Sequence, residues 1–96
     1  MKTKSEEITF EILSERQYQK TSEGWDEDHD YFEHSEGELA EAAACYAYTQ
    51  VENLPWPWDR QSDKRGKHDR RRQLVIAAAL LVAEIERFDR SLKEKE

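Results

Sequence analysis

Residues 69–90 read DRRRQLVIAAALLVAEIERFDR, and their periodicity decides the fold class. Leu74, Ala78, Leu81, Ile85, Phe88 and Leu92 follow in alternating steps of four and three, the spacing of a heptad-like seam on a helix. Val75, Ile76, Leu80 and Val82 are apolar too, so the middle of this helix is hydrophobic all round and needs cover on more than one face. Asp69 stands where an N-cap belongs, and the pattern predicts a helix over about 69–91. Two short helices of the same chain cannot cover all of Leu74–Ala83. A second subunit is therefore expected on this element, which makes helix 69–91 the expected homo-oligomer interface.

Working upstream, Ser35 followed by Glu38 has the form of a capping box, and Leu39, Ala42, Ala43, Tyr46 and Ala47 continue it as a helical face, predicting a helix over about 35–51. Its alanines allow another helix to approach closely. Residues 5–21 place Ile8, Ile12 and Leu13 on one side of a short amphipathic helix, although Ile8, Phe10 and Ile12 would also suit a strand. Two long loops separate these elements. The first runs from Ser22 to His34, and the second, from Asn53 to Gly66, is punctuated by Pro55 and Pro57 around Trp56 and Trp58. The expected architecture is all-α: one helical domain over 1–96, three helices and two long loops, assembling as a homo-oligomer. With 39% of its residues charged against 36% hydrophobic, a 96-residue chain has a thin core, and subunit contacts are an economical source of further burial.

Charge excludes some functions and localises others. The net charge of -7 disfavours general nucleic-acid binding. Glu23 to Glu41 contains nine acids and no Lys or Arg, whereas Asp59 to Arg72 contains seven Lys or Arg against three Asp, so a local anion site remains open. The two segments could instead neutralise each other across a subunit contact. The longest apolar run, Leu74–Ala83, is ten residues, too short to span a bilayer, and the N-terminal MKTKSEE is polar. A cytoplasmic protein without a membrane partner is expected. The single cysteine, Cys45, sits in an alanine-rich helical run and reads as a small buried thiol in a reducing compartment.

Arg70, Arg71 and Arg72 crowd the first turn of a helix, where the macrodipole disfavours cations, so a compensating anion is expected. Helix N-terminal amides and arginines together make a phosphate-binding corner; pairing with the acidic segment is the alternative. Trp56 and Trp58 lie just upstream, with Arg60 after them, and Trp25 is in the other loop. Indole faces stack on bases, and stacking plus arginine contact is nucleotide chemistry; plugging the ends of a small core is the structural alternative. His29 and His34 complete the candidate ligand-binding set, hydrogen-bonding a ligand or tying loop to helix. No catalytic residue, cofactor or metal is assigned on these grounds.

Two resemblances bear on function. Glu38-x-x-Glu41 and Glu86-x-x-Asp89 resemble the ExxE and ExxD pairs with which MazG-like all-α nucleoside triphosphate pyrophosphohydrolases hold magnesium between two helices, although Gly37 interrupts the acidic doublet that opens the family's first motif. This resemblance implies a magnesium-dependent hydrolase with Glu38, Glu41, Glu86 and Asp89 as ligands. The succession Glu15-Arg16-Gln17, Glu23-Gly24-Trp25, His29-Asp30, His34, Gly37-Glu38-Leu39-Ala40, Tyr46-Ala47, Trp56-Pro57-Trp58, Arg70-Arg71-Arg72 and Ala83 to Arg90 covers most of the chain. It resembles a family of short proteins encoded by bacteriophages and prophages. That resemblance implies a phage accessory protein in the host cytoplasm. The leading expectation is that it binds and sequesters a nucleotide-derived ligand such as an immune signalling nucleotide, as a sponge. The alternatives are the hydrolase and an inhibitor or adaptor that binds a protein through its acidic face.

Overall fold

A computed structural model describes residues 2–21, 37–48, 56–58 and 60–94, and the fold of these residues is all-α with no strand among them. Helix α1 spans Lys4–Thr21, α2 spans Glu38–Ala47 and α3 spans Arg70–Glu94; short 3-10 turns at Arg60–Ser62 and Arg65–Lys67 precede α3. Both α1 and α2 pack against α3. Among the described residues no helix is long and apolar enough to cross a membrane.

The capping chemistry differs from the expected pattern. A reciprocal capping box opens α1: Thr3 Oγ1 accepts from the Glu6 amide at 3.1 Å, and Glu6 Oε1 accepts from the Thr3 amide at 3.1 Å. The box expected at Ser35 and Glu38 cannot be followed to Ser35, which lies outside the described residues; within them α2 begins at Glu38 after Gly37, which acts as N-cap without a side-chain bond. Gly37 has φ 90°, a left-handed conformation that suits glycine. At its other end α2 stops at Ala47 rather than near Val51, because Tyr48 turns to extended backbone (φ -82°, ψ 142°). The Arg70 guanidinium there donates to the carbonyls of Tyr46 (3.2 Å) and Ala47 (2.5 Å), filling acceptors that the end of a helix leaves open. Asp69 caps α3, accepting the Arg72 amide at 2.8 Å on Oδ1.

The core lies between α2 and α3. Leu39, Ala42, Ala43 and Tyr46 meet Ile76, Ala77, Leu80 and Ala83, with Trp56 and Trp58 packed against the cluster. The small residues of α2 let the helix axes approach. Cys45 is buried beside this cluster, and burial pushes its thiol pKa up, which favours a packing role over a reactive thiolate.

Helix α1 docks by a different kind of contact. Its buried residues are Glu15, Arg16 and Gln19, whereas Phe10 and Leu13 are exposed. The expectation that Leu13 shares a face with Ile8 and Ile12 fails on geometry: about 100° per residue carries Leu13 round to the outer side, and only Ile8 and Ile12 are half-buried. Polar pairs hold the inner face. Arg71 makes a two-pronged bond to Glu11 (2.7 and 2.8 Å), Arg72 bonds Glu15, Arg16 bonds Glu86 at 2.8 Å, and Lys20 reaches Glu86 at 3.4 Å. Adjacent residues Glu15 and Arg16 thus find partners about 21 Å apart along α3 at 1.5 Å per residue, so α1 crosses α3 rather than lying along it.

These pairs define two stability tests. Removing Arg72 strands the buried Glu15 carboxylate without its cation, whereas the Arg71–Glu11 pair lies at the surface. Arg72→Ala should lower stability by about 1–3 kcal/mol and Arg71→Ala by clearly less, read as melting temperatures. The second test is acid titration. Burial opposes ionisation of Glu86, but the Arg16 hydrogen bond and the Arg16 and Lys20 charges outweigh it, so this carboxyl titrates below its usual 4.5 in the folded chain. A carboxyl whose folded value is depressed stabilises fully above its unfolded value and loses that contribution as pH falls through the folded one. Stability should therefore drop as pH falls through and below 4.5, and Glu86→Gln should remove part of that slope, with the two curves converging in acid.

Candidate functional site

A cleft of about 430 Å³ opens where α1 and the C-terminal end of α2 meet the first turns of α3. This size falls within the roughly 300–1,000 Å³ of ordinary small-ligand sites. Helix α1 contributes Glu15, Tyr18 and Gln19, α2 contributes Tyr46, and α3 contributes Arg72 and Ile76. Trp56, Lys64, Lys67 and His68 come from the connection into α3. Aromatic surface and cationic side chains therefore share one concavity.

The connection is held in place by its own polar contacts. Arg65, itself buried, clamps Asp63 through Nε (2.8 Å) and Nη2 (2.6 Å), and its backbone amide donates to the same carboxylate. That contact holds the Asp63 carboxyl below its usual range. Gln73 on α3 donates to the Arg65 carbonyl at 3.0 Å and the His68 carbonyl at 3.3 Å, fixing the turn that carries Lys64, Lys67 and His68. The Arg65 guanidinium stands 5.3 Å from the centre of the Trp56 ring, a cation–π contact. Trp56 also meets Tyr46 and Trp58 edge-on, with centroids 5.8 and 5.3 Å apart. Its indole is thus held in one orientation where it lines the cleft.

At the base of the cleft a chain of polar contacts runs from α3 to α1. Arg72 bonds Glu15, and Glu15 Oε2 accepts from Gln19 Nε2 at 3.3 Å. Gln19 is 2% exposed, and its Oε1 has no hydrogen-bond partner among the described residues.

Of the residues singled out in the sequence, the cleft brings together Trp56 and Arg72. Trp58 packs behind Trp56 against the core, which is the structural role weighed for it. Arg60 is exposed in the first 3-10 turn and does not line the cleft. Arg70 closes the end of α2 and Arg71 pairs with Glu11, so neither enters the cleft. The charge–dipole conflict at α3 is thus met within the chain by the Asp69 cap and carboxylates of α1. The expected acidic segment is not the source of Glu11 and Glu15. Trp25, His29 and His34 lie outside the described residues. The carboxylates of the hydrolase pattern, Glu38, Glu41, Glu86 and Asp89, are all described, and no group of three or more His, Cys, Asp or Glu suited to a metal forms among the described residues. Glu86 instead serves Arg16 and Lys20. Sequence reading missed Lys64, Lys67 and His68 individually, although they belong to the basic segment it identified, and it gave no sign of Gln19.

No family model, no curated protein and no solved structure matches the chain.

Proposed function

We propose that this protein binds and holds a nucleotide-derived anion in the cleft between α1, α2 and α3, as a phage accessory protein that sequesters a signalling nucleotide in the host cytoplasm. The observation that carries this reading is the convergence of Trp56 with Lys64, Lys67, His68 and Arg72 on one cleft. An indole face offers stacking to a base, and the ammonium and guanidinium groups offer charge-assisted bonds to phosphate. Holding is favoured over hydrolysis because the carboxylates a magnesium-dependent hydrolase would use are not gathered, and the acid in the cleft, Glu15, is engaged by Arg72 and Gln19.

Isothermal titration with nucleoside monophosphates, triphosphates and cyclic dinucleotides tests the site. Lys67 is exposed, so Lys67→Glu should leave the melting temperature unchanged while weakening binding about tenfold or more, the effect of losing one charge-assisted contact. Ligand released by heat should be chemically intact. Unaltered affinity in Lys67→Glu would displace the site, and a changed ligand would restore the hydrolase reading.

The sequestering unit is proposed to be a homo-oligomer through α3. Val75, Ile76, Ala79, Leu80 and Ala83 are buried within the chain, while Leu74, Leu81, Ile85, Phe88 and Leu92 stay exposed on the opposite face. Those five follow the heptad spacing, and a stripe of large apolar side chains matches a second copy of itself under a two-fold axis. Light scattering should give a multiple of the 11.4 kDa chain mass, and Leu81→Glu should shift it to the monomer. A monomeric wild type would remove this part of the reading.

A further inference from the structure

An amide in a buried position has a direction, and in Gln19 the direction is set by its neighbours. Ionised Glu15 can only accept hydrogen bonds, so the side of the Gln19 amide that faces it at 3.3 Å has to be the NH2 group. Arg72 bonds the same carboxylate and holds it in place. Rotating the amide by half a turn would set its carbonyl against the carboxylate and forfeit the bond. The Gln19 carbonyl oxygen is therefore fixed as an acceptor, in a residue 2% exposed that lines the cleft, and no described group donates to it. A buried acceptor without a donor is unfavourable, and a ligand able to donate to it recovers that cost on binding.

Resting on the nucleotide reading above, we infer that Gln19 is the base-reading residue of this cleft, selecting nucleotides whose ring carries an exocyclic amino group over their oxo counterparts. Adenine and cytosine present an N–H donor at the position where hypoxanthine and uracil present a carbonyl oxygen. Opposite the fixed Gln19 oxygen the amino group makes a hydrogen bond, whereas the carbonyl sets two acceptors against each other. A site built to receive a donor discriminates strongly against an analogue lacking one, because the buried partner is left unsatisfied. Trp56 stacking and the cations are indifferent to this substitution, since every base has a π face and the phosphate is unchanged. The discrimination isolates Gln19.

The test compares matched pairs on the full chain by isothermal titration: AMP with IMP, CMP with UMP, and cyclic di-AMP with cyclic di-IMP. The amino member of the pairs that bind should bind at least about tenfold more tightly. In Gln19→Met, which keeps the volume and removes the acceptor, the preference should fall towards one while the melting temperature confirms a folded chain. Equal affinities within each pair in the wild type would overturn the inference and leave the nucleotide site standing. A preference that persists in Gln19→Met would assign the reading to another group. Binding of no pair at all would overturn the nucleotide reading itself, and this inference with it. Should Gln19→Met fail to fold, Gln19→Leu, which also lacks the acceptor, carries the same comparison.

Discussion

Three consecutive arginines at the start of α3 sit where a helix least tolerates positive charge, and the arrangement of the other helices follows from how that conflict is met. Arg70 turns to the open carbonyls at the end of α2, Arg71 to Glu11 and Arg72 to Glu15 of α1, while Asp69 caps the helix from below. One turn of helix thus ties together all three α-helices. The carbonyl end of α2 and the carboxylates of α1 supply the negative charge that a bound anion would otherwise have to bring. The same contacts aim Arg72 at Glu15 and, through it, orient Gln19.

The two halves of the molecule are held by different physics. Between α2 and α3 the contact is apolar and close, built from alanine and leucine, and non-directional burial supplies its stability. Between α1 and α3 it is polar and directional: Arg16 is 3% exposed and pairs with Glu86. The cleft opens on that side of the molecule, lined by α1 residues on one part and by Tyr46 and Trp56 on another. The polar docking of α1 also turns Phe10 and Leu13 outwards, adding apolar surface to that already exposed along α3.

Much of the helix content was legible in the sequence because it depends on local spacing. The buried and exposed faces of α3 both follow the i, i+3, i+4 pattern, and Asp69 caps where its position says it should. The boundaries of α2 were less legible. At its end, where Tyr48 turns to extended backbone, the guanidinium of Arg70, 23 residues further on, takes the Ala47 carbonyl. The capping box at Thr3 and Glu6 was present in the sequence as a local signature, and the structure forms it in both directions.

What the sequence determined by itself was the all-α class, the doubly apolar α3 and the presence of aromatic and cationic groups in the stretch from Trp56 to Arg72, since each of these is a property of neighbours along the chain. Only the tertiary structure decided the partners of the arginines, because Glu11 and Glu15 are separated from them by about sixty residues and nothing in their local sequence marks them as counter-ions. It also decided that Gln19 lines the cleft. A glutamine on a helix surface and a glutamine fixed by a buried carboxylate are identical in sequence, and they differ only in which distant helix crosses above them.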